Sequence, residues 1–80
     1  MKQVRVRYFA ALREQAGIPE ERVETDAGSL EELYRELAVR HRFTLSPSVL
    51  KASRNSAWAD LDQSFDSGDT LVFIPPVAGG

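Results

Sequence analysis

The sequence predicts an α+β fold in which one main helix crosses a mixed sheet, accompanied by a short additional helix. Three observations carry that expectation. Residues 2–9 and 70–74 are strand-like, the first run alternating and the second continuously apolar. A single well-capped helix with a strong 3.6-residue period lies between them, and turn residues punctuate the remainder at short spacing.

Lys2 to Phe9 place Val4, Val6 and Tyr8 on one face and Gln3, Arg5, Arg7 and Phe9 on the other, the period of a half-buried strand. Ala10 to Ala16 read as a short helix, with Leu12 and Ala16 four apart and Gly17 followed by Pro19 as the stop. So short a helix does not hold alone in water and must pack on the body. Glu21 to Thr25 form a second strand around Val23. The main helix begins at Ser29, whose hydroxyl can cap free N–H groups while Glu32 closes a reciprocal capping box; the cap is worth about 1 kcal/mol. Leu30, Leu33, Tyr34, Leu37 and Ala38 form its apolar stripe, which ends near Arg40 or His41. Phe43 to Ser48 read as a loop, Val49 to Ser53 as a third strand, Asn55-Ser56 as a turn and Ala57 to Leu61 as a short strand. Ser67-Gly68-Asp69 is a turn, and Thr70 to Ile74 is the last strand. With the first and last strands adjacent at the centre, this order is the β-grasp, or ubiquitin-like, arrangement.

Composition narrows the function. Eighty residues make one small domain, with no room for a deep private cleft, so a carrier or binding module fits better than an enzyme. Ten basic against 12 acidic residues give a net charge of −2, and no run of Lys and Arg tracks a phosphate backbone, so no nucleic-acid partner is expected. No apolar run approaches the length that crosses a bilayer, and no charged-then-apolar leader is seen, so the expectation is no membrane association and a cytoplasmic location. Cysteine is absent, which excludes disulfides, thiolate metal sites and a persulfide on this chain. The lone His41 has no second ligand or nucleophile at a recognisable spacing, so no metal or other cofactor is expected on this chain, and His41 reads as structural or solvated.

The chemistry-bearing feature is Pro75-Pro76-Val77-Ala78-Gly79-Gly80. Gly79 and Gly80 have no Cβ and can thread a channel too narrow for side chains, while Pro75 and Pro76 favour an extended path. Residues 75–80 are therefore expected to form a flexible extended tail reaching at most about 20 Å beyond a β-grasp domain of residues 1–74. Gly-Gly alone is a weak signal, but directly after an apolar strand and Pro-Pro it points to Gly80 as the reacting group. On the sheet face away from the helix, alternation turns Phe9, Val72 and Ile74 outward as an apolar patch at the tail's base. Trp58 either joins that patch or caps the core.

The run Val6-Arg7-Tyr8-Phe9-Ala10-Ala11-Leu12-Arg13-Glu14-Gln15-Ala16-Gly17, together with residues 67–80 ending Phe73-Ile74-Pro75-Pro76-Val77-Ala78-Gly79-Gly80, resembles the small, sulfur-carrying subunits of molybdopterin synthase. Asn55 stands where that family commonly has an Asn after the third strand. Ile74 stands where relatives often have an aromatic, and Lys51-Ala52-Ser53-Arg54 is more polar than the usual run. The resemblance implies that Gly80 is adenylated by an E1-like enzyme that uses ATP, then converted to a thiocarboxylate with sulfur from a rhodanese or cysteine desulfurase. It implies that Pro75, Pro76, Val77, Ala78 and Gly79 lie in a pocket of the large synthase subunit, that Phe9, Trp58, Val72 and Ile74 contact that subunit, and that two small and two large subunits form a heterotetramer. The alternatives are a sulfur carrier for thiamine or tRNA thiolation, the thiamine type usually lacking the short helix of Ala10 to Ala16, and a ubiquitin-like modifier conjugated through Gly80.

Overall fold

The computed structural model describes residues 1–76. Five strands and two helices follow in the order β1 (Lys2–Tyr8), α1 (Ala10–Ala16), β2 (Glu20–Thr25), α2 (Leu30–His41), β3 (Lys51–Arg54), β4 (Ala57–Ala59) and β5 (Thr70–Ile74). All five strands form one sheet in the order β2-β1-β5-β3-β4. β1 and β5 run parallel, and the other neighbours run antiparallel. This is the expected β-grasp, with the first and last strands side by side.

One face of the sheet meets α2. Val4, Val6 and Tyr8 from β1, Val23 from β2 and Leu71 and Phe73 from β5 are buried in one cluster with Leu30, Leu33, Tyr34 and Leu37 of α2. The leucine stripe read from the sequence is therefore the core face of the helix, and each such side chain contributes roughly 1.5–3 kcal/mol by leaving water. Leu12 anchors α1 in the same cluster, which explains why so short a helix persists.

The start of α2 is fixed from several directions. Ser29 Oγ accepts from Glu32 N at 3.2 Å, while Leu30 N and Glu31 N donate to the carbonyls of Gln63 and Leu61 at 3.0 and 2.8 Å. The N–H groups that a helix leaves orphaned thus find partners, two of them on the loop after β4. Glu32 does not return its carboxylate to Ser29, as a capping box would; Glu32 Oε2 accepts from Gly28 N at 2.9 Å, one residue earlier.

Several expected boundaries are corrected. β2 begins at Glu20. Val49 does not open the third strand: Pro47–Val49 is a 3-10 turn whose entry is set by Ser46 Oγ accepting from Ser48 N, and Val49 is 46% exposed. β4 stops at Ala59 because the next residues turn, with Gln63 N bonded to Asp60 O at 3.0 Å. Pro75, assigned to the outgoing tail, is buried, and Pro76 is the first exposed residue after β5. The folded body therefore includes Pro75. Among the described residues, no helix is long and apolar enough to cross a membrane.

Candidate functional site

The helix-free face of the sheet and the exit of β5 carry most of the residues singled out from sequence. Strand register fixes their arrangement. Arg7 of β1, Val72 of β5, Ser53 of β3 and Trp58 of β4 are successive partners, so their side chains share one row of this face. Ile74 opposite Lys51 makes the next row toward the exit of β5. Arg22, Arg5 and Thr70 make the row on the other side.

Exposure within these rows is uneven. Trp58 is 75% exposed and does not cap the core; Phe9 is 42% exposed. The Arg7 guanidinium lies 5.7 Å from the Phe9 ring centroid, a cation–π arrangement that also steadies the ring at the N-terminus of α1. Ile74 is half-buried, and Val72, expected in the exposed patch, is only 9% exposed. Val72 faces outward as alternation required, but it lies mid-sheet between Arg7 and Ser53, so its neighbours' side chains leave little of it in water. Apolar contact on this face is left to Phe9, Ile74 and Trp58. Pro75 and Pro76 continue directly from β5; Val77, Ala78, Gly79 and Gly80, the expected pocket-binding segment and reacting terminus, lie outside the described residues.

Two polar clusters escaped the sequence reading. Near the exit of β5, Glu21 Oε2 accepts from Tyr8 Oη at 2.5 Å and meets His41 Nε2 at 2.6 Å, with Arg40 3.6 Å from Glu21 Oε1. Burial alone would raise the Glu21 pKa, yet the hydrogen bonds from Tyr8 and His41 and the neighbouring positive charge hold the carboxyl below its ordinary value. Burial, aided by the Glu21 carboxylate, pushes the Tyr8 phenol far up. His41 is therefore a clasp between α2, β1 and β2.

At the other end of the sheet, Asp69 accepts from Arg54 Nε at 2.6 Å, Asn55 Nδ2 at 2.9 Å and Asp66 N at 2.8 Å. Burial opposes its ionisation, but these donors and the Arg54 charge outweigh burial and hold Asp69 low. Asn55 also accepts from Thr70 N at 2.9 Å, so the Asn singled out in the sequence staples the β3–β4 turn to β5. Both clusters tie together residues 13 to 20 positions apart, a pairing that register creates and local pattern does not reveal.

This face offers exposed apolar and charged side chains for contact. Its charged groups are exposed, while Glu21 and Asp69, whose carboxyls are held below their ordinary pKa, are engaged by partners within the fold. No group of three or more His, Asp or Glu side chains among the described residues could hold a metal ion.

Comparison with known proteins places these features in context. The sequence model of one family, described as the ThiS family, matches residues 6–80. The molybdopterin synthase sulfur carrier subunit of Escherichia coli (strain K12) is 31% identical over 80 residues, spanning 96% of this chain and 99% of that protein. Among solved structures, SAMP1 from Haloferax volcanii superposes with a TM-score of 0.79 at 26% identity, covering 98% of this chain and 99% of that one. A chain in the complex of subunits 1 and 2 of the molybdopterin-converting factor from Helicobacter pylori 26695 superposes with a TM-score of 0.66 at 25% identity, covering 98% and 99%.

Proposed function

The chain belongs to the ThiS family, and on that premise we propose that it carries sulfur as a thiocarboxylate on Gly80 for the dithiolene of molybdopterin. The observation that carries this reading is the match, along nearly the whole chain, to a sulfur carrier subunit of molybdopterin synthase, with the family similarity running through Gly79-Gly80. The described structure is consistent with it: β5 leads through a buried Pro75 to an exposed Pro76, on a domain whose helix-free face carries exposed aromatics.

The chemistry needs nothing further from this chain. A C-terminal carboxylate is ionised at neutral pH and attacks the α-phosphate of ATP on an E1-like enzyme, giving the acyl adenylate and pyrophosphate. Hydrosulfide, released from a persulfide donor by a second thiol, displaces AMP and leaves the thiocarboxylate. The sulfur then attacks the pterin precursor in the large synthase subunit, which supplies the acid–base groups. Phe9, Trp58 and Ile74 give that subunit its apolar footing, and the assembly is a heterotetramer of two small and two large subunits.

Reconstitution with ATP, the activating enzyme, a sulfur source and the large subunit tests the proposal, with dithiolene formation as readout. Deleting Gly80 shortens the reach by about 3.5 Å and abolishes transfer. Gly79→Ala slows transfer, since misplacing a reacting group by about 1 Å costs ~100-fold. Wild-type turnover by the Gly80 deletion overturns the carrier reading. A second reading, conjugation of Gly80 to lysines of other proteins, draws on the similarity to SAMP1, a small archaeal modifier protein. Mass spectrometry of the protein from its native host separates the two, as a thiocarboxylate terminus or as isopeptide-linked conjugates.

A further inference from the structure

Arg5 and Arg22 stand directly opposite each other on β1 and β2, on the face away from the helix. Like charges in that position repel and weaken the strand pair. One neighbour relieves this in part: Glu20 Oε2 lies 3.4 Å from Arg5 Nε. Arg22 has no carboxylate within 4 Å among the described residues. Beside the pair, a hollow of about 260 Å³ opens to solvent between Gln3, Arg5, Arg22, Gly68 and Thr70. It is lined by two arginines and Thr70, residue types whose N–H and O–H groups suit an anion that accepts hydrogen bonds.

The setting identifies the anion's source. The strands of this face carry four cations, Arg5, Arg7, Arg22 and Lys51, against two carboxylates, Glu20 and Glu24, with Asp60 beside Lys51 and Trp58 after β4, in a chain whose net charge is −2. The rest of the chain therefore carries the net negative charge, which favours approach of an acidic partner to this face. From Thr70 to Ile74 is about 13 Å along β5, well within one standard protein interface of roughly 800 Å² per partner, so one partner covers both the hollow and the apolar residues at the exit of β5. Glu20 and Glu24 disfavour a phosphate backbone on the same rows.

We infer that Arg5 and Arg22 form a carboxylate-binding site for the protein that receives the carrier, whose docking surface is apolar where it meets Phe9, Ile74 and Trp58 and acidic where it meets the arginine pair. This rests on the carrier reading for the partner's identity, with the large synthase subunit as the probe. Stopped-flow association of the full chain with that subunit is expected to slow ~10-fold between about 50 and 500 mM NaCl. Arg5→Glu with Arg22→Glu slows it ~10- to 100-fold at low salt and flattens the salt dependence. Arg35→Glu, on the exposed side of α2, changes the rate little. Arg22→Glu alone raises the melting temperature of the free chain while weakening the complex, a split that a purely structural arginine would not give.

A wild-type rate and salt curve for the double variant overturns the site, as does tighter binding of a mixed-sequence single-stranded RNA than of the large subunit. If that variant behaves as wild type while the Gly80 deletion is inactive, the site falls and the carrier reading stands. If the wild-type chain does not bind the large subunit at all, both fall.

Discussion

Asp69 and Glu21 show how much this small domain leans on single carboxylates. Each accepts at least two short hydrogen bonds from side chains on other elements and is held below its ordinary pKa. A depressed carboxyl contributes stability that is present above its unfolded pKa and lost as pH falls through the folded one. Urea midpoints are therefore expected to stay level from neutral pH down to about 5 and to decline below that. Asp69→Asn and Glu21→Gln should each lower stability at neutral pH by about 1–3 kcal/mol and make the acid decline shallower. An unchanged decline in both variants would remove these groups as its cause. Tyr8 works in the opposite sense: its pKa is raised, so its contribution is intact below about 10 and is lost as pH climbs above that. Neither cluster was legible in the sequence. His41 and Asn55 stood out as residue types, but their partners are assigned by which strands pair, which no window of neighbouring residues contains.

Elements were far more legible than their polar bonds. Alternation in β1, the stripe of α2 and the turn before β5 each arise within ten or so consecutive residues, and the structure matches them closely. β3 was misplaced because Val49 and Leu50 look like strand residues, while Ser46-Pro47 carries a local start signal, a capping serine before proline at the first turn position. The helix signals support two quantitative expectations. Ser29→Ala should cost about 1 kcal/mol, and Leu37→Ala about 2–5 kcal/mol, both read from chemical denaturation. The two-residue turn between β3 and β4 supports a sharper one. Asn55 and Ser56 both have positive φ, at 51° and 72°, as the favoured hairpin turns require. Ser56→Gly should stabilise the domain by about 0.5–1 kcal/mol, because serine is strained there and its hydroxyl makes no hydrogen bond among the described residues. Asn55→Gly relieves the same strain but removes the bonds to Asp69 and Thr70, so it should destabilise. If Asn55→Gly stabilises the domain as Ser56→Gly does, the stapling role of Asn55 is wrong.

For the molecule as a whole, the extent of the packed body after β5 decides what can be altered without unfolding. Since Pro75 is buried and Pro76 exposed, a chain ending at Ile74 should melt several degrees below one ending at Pro76, about 4–8 °C for each kcal/mol lost in a domain of this size. Phe9→Asp and Ile74→Asp should leave the fold in place and weaken the proposed complex with the large synthase subunit; unchanged calorimetric affinity for both would take the apolar residues out of that proposed interface. Sequence alone located that face because alternation is a property of single strands; its charge balance emerged only when β2, β1, β5 and β3 were laid side by side. The parallel pairing of β1 with β5, running from Arg5 opposite Thr70 to Tyr8 opposite Phe73, has a mechanical outcome as well. Tension applied between Lys2 and Pro76 drags these neighbouring strands in opposite directions along their own length, so the rungs joining them are strained together in shear. Tension between Lys51 and Ala59 instead peels the antiparallel β3–β4 hairpin apart one rung at a time. Optical tweezers should record a higher rupture force along the first axis than along the second, so this protein withstands pulling through the strand that leads toward Gly79-Gly80 better than pulling on its β3–β4 hairpin.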